Sequence, residues 1–197
     1  MLLWALTVHE WAHAFSAHKC GDDTAFHQGR MTLNPLAHLD PLGTLMMVLS
    51  FFSSAIPLGW AKPVPVNPLL FKYPSRDDII VSLAGVTANL VNAIGFAIIF
   101  RLLVHYAPGQ DILLSMAVMG VYVNIGLLFF NVIPIPPLDG SHVLESYLPY
   151  HMKEAYHRIM PYGMYILIGL IYLGATTYLV GIPTLFVSSL LLSFGNF

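Results

Sequence analysis

The stretch that decides the fold is residues 1–19, MLLWALTVHEWAHAFSAHK, in which an HEWAH motif at residues 9–13 lies within an apolar run. We predict a helix here, ended by the turn-forming residues 20–23, CGDD. Residues four apart share one face of a helix, so His9 and His13 can present imidazole nitrogens to a single Zn²⁺. A metal site within an apolar helix is therefore the first hypothesis about this chain.

Glu10 lies roughly 100° round the helix from His9, beside the metal position rather than on it. From there its carboxylate can take a proton from a water whose pKa the metal lowers, which is the general-base role in metallopeptidases. In a soluble helix, an ordinary polar stripe would explain the motif equally well. In an apolar helix it does not, because each unpaired ionisable group is costly there.

The composition indicates an integral membrane protein. Of the 197 residues, 57% are hydrophobic and 9% are charged, whereas a soluble domain carries roughly 25% charged residues. The net charge is −2 and the basic residues do not cluster, so we expect a lipid bilayer and no nucleic acid as partners. Cys20 is the only cysteine, so metal ligands must be His and carboxylate.

The hydropathy pattern predicts an all-α polytopic membrane protein with about five to six transmembrane or re-entrant helices. Residues 79–100 and 112–133 are long enough to span a membrane. The uncharged tail, residues 159–197, is predicted to hold a full-length helix and a shorter one, divided by GIP at residues 181–183. Residues 41–56 fall just under spanning length and could either cross or re-enter.

The positions of the eight Lys and Arg residues bear on residues 41–56. If that run turns back, every basic residue except Arg101 lies on one side of the membrane, whereas a full crossing divides them. The positive-inside rule favours the re-entrant arrangement, with the loops that contain Lys62 and Lys153 both cytoplasmic and the N-terminus outside.

A short extended or β segment is predicted at residues 59–68, GWAKPVPVNP. Its alternating prolines forbid a helix but suit an edge strand. The free side of such a segment can bind another chain by β-addition. We therefore expect an extended segment near the active site.

A catalytic zinc needs a third protein ligand, and Asp139 is the best candidate. It lies in NVIPIPPLDG, residues 131–140, whose prolines end the preceding helical run near the membrane border. The residue could equally cap the next helix within a surface turn. Asn131 could hold helices together or hydrogen-bond the peptide that is cleaved.

Several separated motifs resemble the site-2 protease family of intramembrane zinc metalloproteases, in its short prokaryotic branch. HEWAHA at residues 9–14 resembles the first metal motif of the family, and residues 131–140 resemble its N-x-x-P-x-P-x-L-D-G motif. GRMTLNPLAHLDPLG at residues 29–43 and the segment at 59–68 are also similar to this branch. AGVTAN at residues 84–89 keeps the glycine and asparagine of the family but lacks its proline.

The resemblance implies a zinc endopeptidase that cleaves transmembrane or membrane-tethered proteins near the cytoplasmic leaflet. It implies one Zn²⁺ per chain, bound by His9, His13 and Asp139. Glu10 is the expected base, and Asn131 is expected to polarise the substrate. The expected setting is the cell membrane of a prokaryote, and the expected partner is a substrate helix.

We interpret residues 1–197 as one membrane-embedded metalloprotease domain, with a core at 1–145 and a helical scaffold at 146–197. The alternative function is a catalytically inactive pseudoprotease that binds metal and captures helices, which would not need Glu10. The intact HEWAH motif favours the enzyme. The substrate, its cleavage site and the oligomeric state stay open.

The other polar residues are assigned simpler roles. Asn89, Asn92 and Asn124 are expected to make hydrogen bonds between helices. His38 is expected to order a loop, and His142 lies in a polar segment where solvation explains it.

Overall fold

The structure, a computed structural model, describes residues 1–52 and 61–193, and within these ranges every regular element is helical. The α-helices are α1 (Leu2–Cys20), α2 (Thr24–His27), α3 (Pro41–Phe52), α4 (Pro74–Tyr106), α5 (Asp111–Val132), α6 (Asp139–Tyr147), α7 (Tyr150–Ile159), α8 (Gly163–Tyr172) and α9 (Ile182–Ser193). Short 3-10 turns cover Pro35–His38, Pro68–Leu70 and Met160–Tyr162, and a π-helical turn, Thr177–Gly181, leads into α9. The prediction of an all-α chain is confirmed for this part.

Helix α1 has the predicted extent and ends at the predicted turn. Gly21 has a φ of 109°, a left-handed conformation that glycine adopts without strain, and this closes the helix. The buried residues of α1 are mostly small, together with His9 and His13. Because α1 packs against α4, the two imidazoles lie where these helices meet.

Helix α4 is the centre of the fold and contacts α1, α5, α6 and α9. It is longer than the predicted run at residues 79–100, because Pro74 starts it in a first turn that needs no N–H from proline. The Asp77 carboxylate accepts the N–H of Tyr73 at 2.9 Å, which satisfies a donor that helix starts leave unpaired. The charged first turn of α4 therefore belongs to the helix.

Among the described residues, two helices, α4 and α5, are long and apolar enough to cross a membrane. The number becomes three if Tyr150–Tyr172 and Thr177–Ser193, which are bent by 83° relative to each other, form one broken span. The total of five to six spanning or re-entrant helices stays a prediction. Helix α3 covers Pro41–Phe52, and residues 53–56 of the ambiguous run lie outside the described residues.

The tail breaks at a different place from the predicted one. The sequence predicts a break at residues 181–183, whereas α8 ends at Tyr172 and Gly174 follows with a φ of 72°. The π-helical turn then carries the chain into α9 past Pro183, since such local adjustments accommodate a missing proline N–H. A left-handed glycine, not the proline, ends the first tail helix.

Residues 61–68, here called the strap, run beside α1 without forming a strand. The one β pairing in the described part of the chain is an isolated antiparallel bridge between Leu39 and Ala61. The prolines alternate along the strap, so they remove N–H donors from one edge of it and leave the other edge able to pair. The first two residues of the predicted segment, Gly59 and Trp60, lie outside the described residues.

Asp22 attaches the far end of the strap to the turn after α1. Its buried carboxylate accepts the N–H of Asn67 at 2.6 Å and the N–H of Thr24 at 2.9 Å. Burial alone would raise the pKa of Asp22, but these hydrogen bonds outweigh it and hold the pKa below its ordinary value. The folded state therefore favours the ionised carboxylate.

The Asp22→Asn variant is expected to be less stable, because one amide hydrogen bond loses its carboxylate acceptor. At about pH 7 we expect the Tm to fall by roughly 2–4 °C, which corresponds to about 1 kcal/mol. The pKa of Asp22 is lower in the folded state than in the unfolded state, where it is about 3.9. The ionised carboxylate therefore stabilises the fold fully above the unfolded pKa. This stabilisation is lost as the pH falls through the folded pKa.

Thermal unfolding in detergent at several pH values measures this difference. The gap in Tm between wild type and Asp22→Asn should shrink below about pH 4. Asp23→Asn is the control, because the Asp23 carboxylate is exposed, pairs with His18, and among the described residues does not contact the strap. A gap for Asp22→Asn that does not change with pH would contradict the role of its charge.

Candidate metal centre

The three predicted ligands meet between α1 and the start of α6. The Nε2 atoms of His9 and His13 are 3.0 Å apart, and Asp139 Oδ2 lies 3.3 Å from the first and 3.4 Å from the second. Ligand atoms bound to zinc at about 2.0–2.1 Å with tetrahedral angles are about 3.4 Å from one another. The three atoms therefore have the spacing of one face of a tetrahedral zinc site.

The chemistry of these atoms also fits a shared cation. Asp139 Oδ2 is buried and has no hydrogen-bond partner among the described residues. His13 Nδ1 is 2.8 Å from the carbonyl oxygen of Val81, which can only accept, so Nδ1 carries the proton and Nε2 of the neutral ring has a lone pair. That lone pair faces His9 Nε2 and a carboxylate oxygen. A cation between the three atoms removes their mutual repulsion.

Helix α4 supports the site with one face, since Val81, Gly85 and Asn89 are four residues apart. Gly85 makes room for both rings: a Cβ there would lie 2.4 Å from His13 Nε2 and 2.5 Å from His9 Cε1. These distances are shorter than any that a real Cβ atom makes with a neighbouring atom, so a larger residue at this position would displace the rings. The glycine lets the backbone of α4 pass directly against the imidazoles.

Glu10 lies beside the three ligand atoms rather than among them. Its Oε2 accepts the N–H of Val64 at 2.7 Å, so the strap holds the carboxylate in place. Its second oxygen, Oε1, has no hydrogen-bond partner among the described residues. The side chain is thus fixed at one oxygen and available at the other, as a base requires.

A cavity of about 320 Å³ opens beside the ligands and includes every predicted site residue in its wall. Asn131 reaches it from α5, with one amide hydrogen donated to the carbonyl of Leu127 at 3.0 Å in its own helix. The second amide hydrogen has no hydrogen-bond partner among the described residues. The strap forms another wall through Pro63, Val64, Val66 and Pro68.

Comparison with known proteins gives the family. Residues 106–173 match the profile of peptidase family M50. YwhC of Bacillus subtilis, which is named as a candidate zinc metalloprotease, is 39% identical over 170 residues, 82% of this chain and 74% of that protein. The chain belongs to peptidase family M50.

A second M50 relative is Rip2 of Mycolicibacterium smegmatis, also named as a candidate zinc metalloprotease. It is 30% identical over 172 residues, which are 86% of this chain and 64% of Rip2. This chain therefore spans somewhat less than two thirds of the mycobacterial protein. No solved structure matches the chain.

Asn89 of this M50 chain contacts the candidate metal site, in addition to the interhelical bonding that the sequence predicts. Its amide nitrogen is 3.2 Å from His9 Nδ1, and its buried amide oxygen has no hydrogen-bond partner in the described part of the chain. If a metal were bound at Nε2, the proton of His9 would be on Nδ1, and the Asn89 amide turned by 180° would accept it. Asn89 is thus placed to orient the His9 ring. Its spacing of four residues from Gly85 is the signal that could have identified it.

Two further cavity residues are absent from the sequence prediction. Asp78, in the first turns of α4, and His142 of α6 both line the wall, and His142 Nδ1 is 3.9 Å from Asp78 Oδ2. His142 is exposed to solvent, as expected, and is also part of the cavity wall. It follows Asp139 by three residues, a helical spacing that places both on one side of α6.

Proposed function

We propose that this M50 chain is a zinc endopeptidase that hydrolyses peptide bonds in or near transmembrane segments of other membrane proteins. The observation that carries the proposal is the triangle of His9 Nε2, His13 Nε2 and Asp139 Oδ2, with Glu10 beside it in one cavity. The names of YwhC and Rip2 support zinc as the ion. The described residues contain one such ligand set, which supports one ion per chain.

The residues of the site divide the reaction between them. His9, His13 and Asp139 hold the ion, which supplies Lewis-acid activation of a water and of the substrate carbonyl. Glu10 Oε1 takes a proton from the attacking water and returns it to the leaving amine. Asn131 donates its second amide hydrogen to the carbonyl oxygen of the cleaved bond as negative charge develops there.

The strap receives the substrate. A transmembrane helix must unwind before cleavage, because its peptide groups are paired within the helix. The Val64 N–H is already bonded to Glu10, whereas the N–H and carbonyl of Val66 have no hydrogen-bond partner among the described residues. Groups two residues apart on an extended chain face the same way. A peptide that pairs with Val66 and runs along the strap therefore passes Glu10 about 7 Å from that pairing, because two residues of extended chain separate Val66 from Val64.

The proposed setting is the cell membrane of a prokaryote, with a multi-pass chain and the active site toward the cytoplasmic side. Helices α4 and α5 support a membrane location by their length and apolar character. The near-exclusive placement of Lys and Arg on one side of the re-entrant arrangement supports the orientation.

Removal and return of the metal test the proposed function. The chain is reconstituted in liposomes with a panel of fluorescently labelled transmembrane peptides, and its zinc content is measured alongside cleavage. Stripping with a chelator is expected to abolish cleavage. One equivalent of Zn²⁺ should restore it and Mg²⁺ should not, because two imidazoles suit zinc and magnesium prefers oxygen ligands.

Two outcomes would contradict the proposal. Cleavage that persists in the fully stripped chain would remove the metal from the mechanism. A chain that binds one zinc and cleaves none of the peptides would favour the pseudoprotease alternative.

A further inference from the structure

We propose that Arg30 is a positioning residue for Glu10, acting through the strap at Lys62, Pro63 and Val64. The inference rests on the proposed function, because it concerns the base of that reaction. Arg30 does not line the cavity and is not one of the ligands. Its role is to fix the peptide group that holds the base.

Arg30 is buried and directs its charge at backbone rather than at a carboxylate. The residue is 8% exposed, and its Nη2 donates to the carbonyl of Lys62 at 2.8 Å and to that of Pro63 at 3.4 Å. Its own N–H donates to the carbonyl of Ala25 at 2.8 Å, which fixes its main chain. No carboxylate forms an ion pair with it among the described residues. Burial of a guanidinium costs desolvation free energy, so we expect its contacts with the strap to serve a function.

The contact reaches Glu10 through a single peptide group. The Pro63 carbonyl that faces Arg30 and the Val64 N–H that donates to Glu10 belong to the same planar unit. Fixing the oxygen end of this unit fixes the direction of its N–H. The positive charge at the oxygen also polarises the group and makes the N–H a stronger donor.

The strap remains attached to the protein without Arg30. At one end the Lys62 N–H donates to the carbonyl of His38 at 2.9 Å, and at the other Asp22 accepts the Asn67 N–H. The Val64 side chain is buried in a cluster with Ala14 and Ala25. Removal of the guanidinium is therefore expected to loosen the Pro63 to Val64 peptide group and not to detach the strap.

The test combines amide hydrogen exchange at Val64 with kinetics in the complete chain. In Arg30→Ala we expect exchange at Val64 to speed up about tenfold or more, because the guanidinium no longer holds the Pro63–Val64 peptide group in place. Cleavage of the labelled transmembrane peptides should lose about tenfold in kcat, part of the contribution of a general base, with KM changed less than about twofold. Zinc content should not change.

Two other variants separate positioning from general stability. Arg30→Lys keeps one donor and a charge, so it should give intermediate exchange and kcat. Arg101→Ala is the matched control, because Arg101 also donates to a main-chain carbonyl, that of Leu192 at 2.6 Å, away from the strap. This control should match wild type in exchange at Val64, kcat and zinc content.

Three results would overturn the proposal: unchanged exchange at Val64 in Arg30→Ala, raised exchange with unchanged kcat, or a loss of zinc equal to the loss of activity. If Arg30→Ala does not fold, the same criteria apply to Arg30→Lys. A wild-type chain that cleaves nothing would contradict the proposed function instead. The exchange measurement would then still decide whether Arg30 holds the Val64 N–H against Glu10.

Discussion

The Glu10→Gln chain is expected to bind one zinc and to cleave about 100- to 10,000-fold more slowly than wild type. Glutamine has nearly the same shape as glutamate but cannot take a proton from water. Its amide oxygen can still accept the Val64 N–H, which Glu10 Oε2 accepts at 2.7 Å, so the strap should keep its position. Because Glu10 is not among the three ligand atoms, zinc should stay bound.

Single-turnover cleavage of a labelled transmembrane peptide, together with zinc content, measures this effect. Glu145→Gln is the matched control, because Glu145 pairs with His157 at 2.7 Å and does not line the cavity. Cleavage retained in Glu10→Gln would mean that another group acts as base, with Asp78 and His142 the other cavity groups to examine. Loss of zinc in the variant would instead make Glu10 part of the metal site.

The parts of the site that follow from helical spacing could be predicted from the sequence. His9 and His13 share a face because they are four residues apart, and Glu10 lies beside that face for the same reason. Asp139 could be proposed because a third ligand is required and few acidic residues lie near an apolar run. That its Oδ2 reaches both imidazoles depends on how α6 packs against α4, which no local pattern determines.

The residues that support the site were harder to predict, because their roles arise between elements. Gly85 and Asn89 differ in no obvious way from packing residues until α4 is placed against α1. In the sequence Arg30 is one of the charges used for topology and one residue of the 29–43 stretch, with no individual role, yet it is buried against the strap. The strap is non-helical, as predicted, but among the described residues its one β pairing is the Leu39–Ala61 bridge, which depends on packing that its own sequence does not determine.

The Gly85→Ala chain is expected to lose at least about 10- to 100-fold in zinc affinity, and its cleavage activity with it. The added Cβ would lie 2.4 Å from His13 Nε2 and 2.7 Å from His9 Nδ1, so atoms must move. The rings cannot simply turn aside, because His13 Nδ1 is bonded to the Val81 carbonyl and His9 Nδ1 faces Asn89. Helix α4 cannot easily move either, since it contacts four other helices.

A second glycine variant distinguishes an effect on zinc binding from an effect on the stability of α4. Alanine favours a helix over glycine by about 1 kcal/mol, so the substitution alone should not weaken α4. Gly95→Ala is the control on the same helix, because a Cβ there meets nothing within 4 Å. It should retain zinc and activity, whereas Gly85→Ala should lose both while the chain still folds. Equal zinc affinity in the two variants, measured by competition with a chelator, would mean that the imidazoles do not lie against α4. The triangle of ligand atoms would then lose its support, because the same packing places His9 and His13 opposite Asp139.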